Sequence, residues 1–292
     1  MNLSQFREHY EPAIQEELAF LIQSLSIPDS LKDSMHYSLQ AGGKRIRPIL
    51  LLAVLEDLNV QHPDALKVAA AIEMIHTYSL IHDDLPSMDN DDLRRGMPTN
   101  HKVFGEAVAI LAGDALLTYS FGIIARLENV SSDDKVQLLD LMSVSSGAEG
   151  MVGGQVLDIE GEEKKLDIGE LEQVHRLKTG ALLTFSILAG AILAKASLEE
   201  KLALGKFGEH LGLAFQIQDD ILDVTGTSQE LGKTAGKDES SEKSTYPSLL
   251  TLPKAKEKLD HHADEAVQSL RRLDADFRLL EELTELIVQR KN

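Results

Sequence analysis

Apolar positions recur along this chain at helical spacing and almost never alternate. No glycine or proline falls between residues 65 and 85, and Val68-Ala69-Ala70-Ala71-Ile72-Glu73-Met74-Ile75 is rich in good helix formers. The pattern predicts a helix that Pro86 stops near Asp84. Leu204, Phe207, Leu211, Phe215 and Leu222 predict a second long helix from about residue 200 to 223. The tail from 254 to 289 is amphipathic, with Leu259, Ala263, Ala266, Val267 and Leu270 on one side. The longest apolar stretch, 181–194, contains Thr184 and Ser186. It is shorter than the roughly 20 residues of a membrane span and reads as a buried core helix. No strand with a period of two, no repeat and no Pro/Gly/Ser-rich linker emerges. Residues 225–246, rich in glycine, serine and lysine, read as one mobile loop. The expectation is an all-α fold and a single domain over residues 1–292.

Composition narrows the function. With 292 residues, 43% of them hydrophobic, a large core is within reach. The absence of cysteine excludes disulfides, zinc–thiolate sites and cysteine nucleophiles, and suits a cytoplasmic, reducing setting. Residues 1–8 show no apolar run behind a basic patch, so no secretory leader is expected. A net charge of −19 argues against a nucleic-acid partner. Such a chain binds an anion where its few cations converge or where it holds metal ions.

Carboxylates cluster twice. Residues 82–96 read HDDLPSMDNDDLRRG. Asp83 and Asp84 fall at a helix C-terminus, whose negative partial charge disfavours them unless a cation compensates. Asp89, beyond the proline turn, can fold back towards Asp83. Oxygen ligands at this density suit Mg²⁺ or Ca²⁺, although the spacing is not that of an EF-hand. Arg94 and Arg95 follow, with guanidinium forks that suit diphosphate oxygens. The alternative is an acidic surface loop paired with its own arginines. In the second cluster, residues 215–223, Gln216, Asp219 and Asp223 share one helix face with Asp220 alongside. Apolar neighbours make this a core-packed helix, where a carboxylate row is costly without a cation. The alternative is an exposed acidic face.

Basic residues cluster as well. Gly42-Gly43-Lys44-Arg45-Ile46-Arg47-Pro48 leads into a helix that Pro48 favours, and sets Lys44 and Arg47 beside a positive helix N-terminus. It can equally be a plain helix-entry loop. Lys178-Thr179-Gly180 could be a C-cap with Gly180 left-handed. Lys233, Lys237 and Lys243 stud the 225–246 loop. Leu231-Gly232-Lys233-Thr234 fails the P-loop spacing, and no strand precedes it. His76 lies two helical turns before Asp83 on the same face.

Taken together, the 42–48 element, Asp83-Asp84 with Asp89, Arg94-Arg95-Gly96, Lys178-Thr179 and Gln216 with Asp219-Asp220 and Asp223 resemble the trans-isoprenyl diphosphate synthase family. The similarity runs in order from about residue 36 to 250. It is greatest to the bacterial farnesyl diphosphate synthase branch, whose first motif also has four residues between the aspartate pair and the last aspartate. The resemblance implies a single large helical bundle around a central cavity and a homodimer. It implies three Mg²⁺ held by Asp83, Asp89 and Asp219 on an allylic diphosphate, supported by Asp84, Asp220 and Asp223. It implies that Arg94, Lys178 and Lys233 bind that diphosphate, that Lys44, Arg47, His76 and Arg95 bind isopentenyl diphosphate, and that Thr179 and Gln216 face the developing carbocation. Tyr78, roughly 7 Å along the axis from Asp83, would be the floor that limits product length at farnesyl diphosphate. The alternatives are an ordinary core tyrosine and, at the level of function, a geranylgeranyl diphosphate synthase, a terpene cyclase or a non-enzymatic acidic scaffold. Cyclases lack the Lys44/Arg47 element and an Asp219-Asp220-Ile221-Leu222-Asp223 motif.

Overall fold

A helix that is apolar on every face must be buried, and the stretch from 65 to 83 is such a helix. The computed structural model describes residues 1–162, 164–225 and 244–290. In chain order its elements are α1 (Leu3–Gln23), α2 (Asp29–Gln40), α3 (Ile46–Asp57), α4 (Ala65–Asp83), β1 (Leu93–Arg94), β2 (Met97–Pro98), α5 (Asn100–Phe104), α6 (Glu106–Ala125), α7 (Ser132–Ser146) and α8 (Met151–Glu162). They continue with α9 (Ile168–His175), a π turn (Arg176–Gly180), α10 (Ala181–Leu193), α11 (Leu198–Thr225), α12 (Tyr246–Leu250), α13 (Leu252–Leu270) and α14 (Arg278–Gln289). The fold is all-α; the one strand pair among the described residues is two residues long on each side.

Contacts divide the chain into two compact units, residues 1–52 with 63–139, and residues 53–62 with 140–292. In the first unit α4 packs mainly on α6 and also on α1 and α2. Its residues from Val68 to Ile75 are all buried. Gly113 on α6 is needed for this approach, because a Cβ there would lie 2.2 Å from the His82 imidazole.

In the second unit α11 is the central rod, packed on α13 and α10. Leu204, Phe207 and Leu211 are fully buried, as their spacing predicts. Gly212 lets α11 touch the π turn, since a Cβ there would lie 2.7 Å from the Gly180 Cα. The amphipathic tail forms two helices, α13 and α14, broken at residues 271–277. Asp57, at the end of α3, caps α14: its two carboxylate oxygens accept from the Leu279 and Leu280 N–H groups at 3.1 Å each.

Two helical stretches, Glu106–Ala125 and Ile168–Leu193, are long and apolar enough to cross a membrane. The second outruns the stretch read from sequence because the π turn carries α9 into α10 without a break. It is 67% buried within the protein, as a core helix is. α6 is 39% buried and turns Ile110 and Leu111 outward.

Candidate active site

The helix carrying the first aspartate pair ends where Pro86 predicts, at Asp83, with Asp84 as its C-cap. The following loop folds back: the Asp89 N–H donates to the Asp83 carbonyl oxygen at 2.8 Å. Asp83 is half-buried and Asp89 exposed, whereas Asp84 is buried. Arg94 answers Asp84, its Nε donating to Oδ1 at 2.9 Å. Burial lifts the Asp84 carboxyl above the ordinary carboxylate value, against the pull of Arg94.

Arg94 reaches Asp84 because it lies on β1. The Arg95-Gly96 turn joins β1 to β2, and both residues have positive φ, 55° and 76°. A two-residue hairpin favours this left-handed turn, and glycine at its second position relieves the strain. Arg95 at the tip meets the 42–48 loop, where its Nη1 donates to the Gly42 carbonyl oxygen. Gly43, with φ of 120°, leaves the space this guanidinium fills: a Cβ would lie 2.4 Å from Arg95 Cζ. Both glycines of the loop take positive φ, 80° and 120°, which favours glycine, and Gly43 also leaves room for the guanidinium.

Arg45 faces inward instead. It is 5% exposed and binds Glu73 through Nη1 at 2.5 Å and Gln15 through Nη2 at 2.7 Å. That anchor leaves Lys44 exposed and Arg47 half-buried. His76 lies close to this set. Burial, then the charges of Arg47, Arg95, Arg45 and Arg94, hold its imidazole well below the ordinary pKa. A neutral imidazole among guanidinium groups can donate a hydrogen bond to a phosphate oxygen. The first unit thus brings together Arg47, His76, Arg94 and Arg95. Tyr78 is buried, its ring edge-on to His82 at 5.7 Å. Burial and the Asp83 charge push its hydroxyl up to about 12.

In the second cluster Asp219 is half-exposed and Asp220 and Asp223 are buried. Asp220 Oδ2 accepts from the Tyr246 N–H at 2.9 Å and lies 3.3 Å from His175 Nε2. The Tyr246 ring stacks on that imidazole, centroids 5.8 Å apart, and its hydroxyl donates to Glu172 at 3.1 Å. Asp219 Oδ1 lies 2.7 Å from Nη2 of Arg290.

Lys178 and Thr179 lie in the π turn, not at a helix end. Gly180 has φ of −62°, so the left-handed C-cap is not formed; the helix continues with one wider turn. Such turns insert a residue and rotate side chains out of helical register. Lys178 Nζ donates to Asp158 of α8 at 2.7 Å. α8 comes this near through Gly154, whose Cβ would lie 2.2 Å from the Lys178 nitrogen. Gln216, half-buried, is one turn beyond Gly212 on α11, and Thr179 directly precedes Gly180. Lys233, with Lys237 and Lys243, lies outside the described residues.

Among the described residues no group of three or more His, Asp or Glu side chains is arranged to hold a metal unaided. Asp83, Asp89 and Asp219 are hard oxygen donors with accessible side chains. Each unit's carboxylates, taken by themselves, have the chemistry to ligate Mg²⁺ that keeps waters and takes further oxygens from a phosphate. Asp158, His175, Tyr246 and Arg290 escaped the sequence reading. Only His175, three residues before Lys178, carries a local hint; the others meet their partners through the fold.

The Polyprenyl synthetase family profile matches residues 28–283. A farnesyl diphosphate synthase of Geobacillus stearothermophilus is 51% identical over 292 residues, covering 99% of this chain and 98% of the relative. A chloroplastic geranylgeranyl pyrophosphate synthase of Catharanthus roseus is 50% identical over 252 residues, covering 85% and 70%. Among solved structures, one described as an FPP/GFPP synthase from Zymomonas mobilis superposes with a TM-score of 0.85 at 35% identity, covering 98% of this chain and 99% of that one.

Proposed function

The chain belongs to the polyprenyl synthetase family, and we propose that it joins isopentenyl diphosphate to dimethylallyl and then geranyl diphosphate, forming farnesyl diphosphate and releasing diphosphate. It is a prenyltransferase. The observation that carries the reading is Arg95, docked on the Gly42-Gly43 loop, with Arg47, Arg94 and His76 close enough to feel one another's charge. That set supports a cationic diphosphate site in addition to the aspartate motifs, which a two-substrate condensation needs and a cyclase does not.

In this reading Lys44, Arg47, His76 and Arg95 hold isopentenyl diphosphate, and Arg94, Lys178 and Lys233 hold the allylic diphosphate. Mg²⁺, three ions on Asp83, Asp89 and Asp219, would neutralise charge on the departing diphosphate as the allylic C–O bond ionises. Asp84 keeps Arg94 aimed, and Asp220 and Asp223 stiffen the second helix. Thr179 and Gln216 turn oxygen towards the allylic cation. The isopentenyl double bond attacks that cation, and the proton lost afterwards passes to a diphosphate oxygen, so no protein base is required. Apolar walls keep water from the cation.

The pure protein, given isopentenyl and dimethylallyl diphosphates with Mg²⁺, is expected to yield farnesol after dephosphorylation. Absence of any prenyl product would overturn the reading. Arg47→Ala should raise the KM for isopentenyl diphosphate more than that for the allylic partner. A geranylgeranyl product is the second reading, favoured by the 50% identity to the Catharanthus roseus enzyme. Tyr78 decides between them: Tyr78→Ala should shift output to geranylgeranyl diphosphate, and an active variant with unchanged product would place the floor elsewhere.

The same reading makes the chain one catalytic domain, 1–292, since the family match runs through both units. It makes it a cytoplasmic homodimer with no membrane span and no nucleic-acid partner. The outward Ile110 and Leu111 of α6 support a subunit contact. Leu111→Asp should halve the mass measured by light scattering.

A further inference from the structure

Arg290 closes on the second aspartate helix from the far end of the chain. Its Nη2 donates to the Phe215 carbonyl oxygen at 2.7 Å and lies 2.7 Å from Asp219 Oδ1. Its Cζ sits 4.0 Å above the Phe215 ring, within cation–π range. Its own carbonyl oxygen accepts from Gln218 Nε2 at 2.8 Å. The chain end is thus tied to three neighbouring residues of α11: Phe215, Gln218 and Asp219. The side chain is only 8% exposed, while that of Asp219 is 43% exposed.

This anchorage is incomplete. Arg290 Nε is buried and finds no hydrogen-bond partner. A guanidinium placed so costs desolvation that the single Nη2 contacts only partly offset. The charge of Asp219 is what favours it there. A Mg²⁺ ion coordinates carboxylate oxygen at about 2.0–2.1 Å in near-octahedral geometry. On Asp219 it would compete with Nη2 for the charge of one carboxylate, and two cations on one carboxylate repel. Once a metal supplies the positive charge at Asp219, only the Phe215 carbonyl oxygen and ring still hold the guanidinium.

We propose that Arg290 is the resident counter-cation of Asp219, holding the carboxylate when no metal is bound and withdrawing from it when Mg²⁺ and diphosphate arrive, so that the chain end sets the metal affinity of the second cluster. The inference rests on the metal–diphosphate role proposed above for Asp219. It adds a positioning residue that acts through that carboxylate and touches no substrate.

Calorimetry with Mg²⁺ and inorganic diphosphate tests it without turnover. Arg290→Gln, which keeps a hydrogen-bonding amide but no charge, should bind the magnesium–diphosphate complex about tenfold more tightly. Arg290→Lys should return towards wild type. In the wild-type protein, labelling of Arg290 by phenylglyoxal, read by mass spectrometry, should be slow without metal and speed up when Mg²⁺ and inorganic diphosphate are added. The label needs no variant and decides the matter even where Arg290→Gln does not fold. Equal or weaker binding by a folded Arg290→Gln, or labelling that Mg²⁺ and diphosphate leave unchanged, would overturn the inference while leaving the family reading intact. No binding of magnesium–diphosphate by the wild-type protein would instead sink the metal–diphosphate site itself, and this inference with it.

Discussion

Asp83-Asp84 closes a helix, whereas Asp219-Asp220 sits inside one. In both pairs the second carboxylate is buried and turned to a partner, and the first keeps access to solvent. The partners differ in origin. Asp84 is answered by Arg94, ten residues on, through a short hairpin. Asp220 is answered by His175 and by the Tyr246 N–H, 45 and 26 residues away, and Asp219 by Arg290. The first cluster carries its own counter-charge in the local chain; the second borrows its partners from α9, α12 and the residue after α14. Alike in chemistry, the two clusters should therefore respond differently to damage.

The largest effect should be common to both. Asp83→Ala and Asp219→Ala should each lower kcat by a factor of ~10² or more, since each removes an oxygen ligand at the leaving group. The difference should show in stability. Asp83→Ala relieves a helix C-terminus of a carboxylate and should change stability by less than about 0.5 kcal/mol. Asp219→Ala takes the carboxylate from a guanidinium that stays buried and should cost about 1 kcal/mol more, measured by urea unfolding. Equal costs would mean that Arg290 does not depend on Asp219.

The inward carboxylates should separate next. Asp84→Asn leaves Arg94 with only the longer Asp91 contact at 3.7 Å and should destabilise by about 2 kcal/mol. Asp220→Asn keeps one oxygen to accept the Tyr246 N–H and should cost only about 1 kcal/mol. The reverse order would show that the borrowed contacts, not the local pair, carry the greater share.

Acid is the mildest probe. α11 meets α13 through His210 and His262, whose Nδ1 atoms lie 3.0 Å apart. One nitrogen must donate and the other accept, so the pair cannot take two protons and keep this contact. Burial pushes the His262 imidazole down to about 4, with His210, His261, Lys258 and Arg176 adding to the effect. His210 is lowered too, by burial, with Arg176 and His261 on one side and Glu265 and Glu209 opposing them. A histidine depressed in the folded state contributes stability that is present above its unfolded value of about 6.5 and lost as pH falls towards 4. At pH 5.5 the His262 share of that loss should be about 1 kcal/mol. His262→Gln should flatten the Tm-against-pH curve between pH 6.5 and 4.5; an unchanged slope would show that His262 does not drive the acid loss.

Much of this molecule was legible before any coordinate. Helix formers unbroken by glycine or proline fixed α4, and helical periodicity fixed α11, because both are local properties of the chain. Pro86 marked the end of α4 for the same reason. The amphipathic tail was legible as helix but not as two helices, since its break at 271–277 is joined to a distant cap, Asp57 on α3. The hairpin behind Arg94 and Arg95 was not read, because two residues per strand show no alternation.

Local order along the chain determined that the protein is all-α, that carboxylates gather at residues 83–89 and 219–223, and that cations follow the first cluster and precede α3. Only the tertiary structure decided which carboxylates face inward, that Gly43 makes room for Arg95, that Lys178 sits in a π turn against Asp158, and that Arg290 reaches Asp219. Spacing reports which side chains share a helix face. A charge buried by packing finds its partner wherever the fold brings one within reach, and no periodicity records that distance.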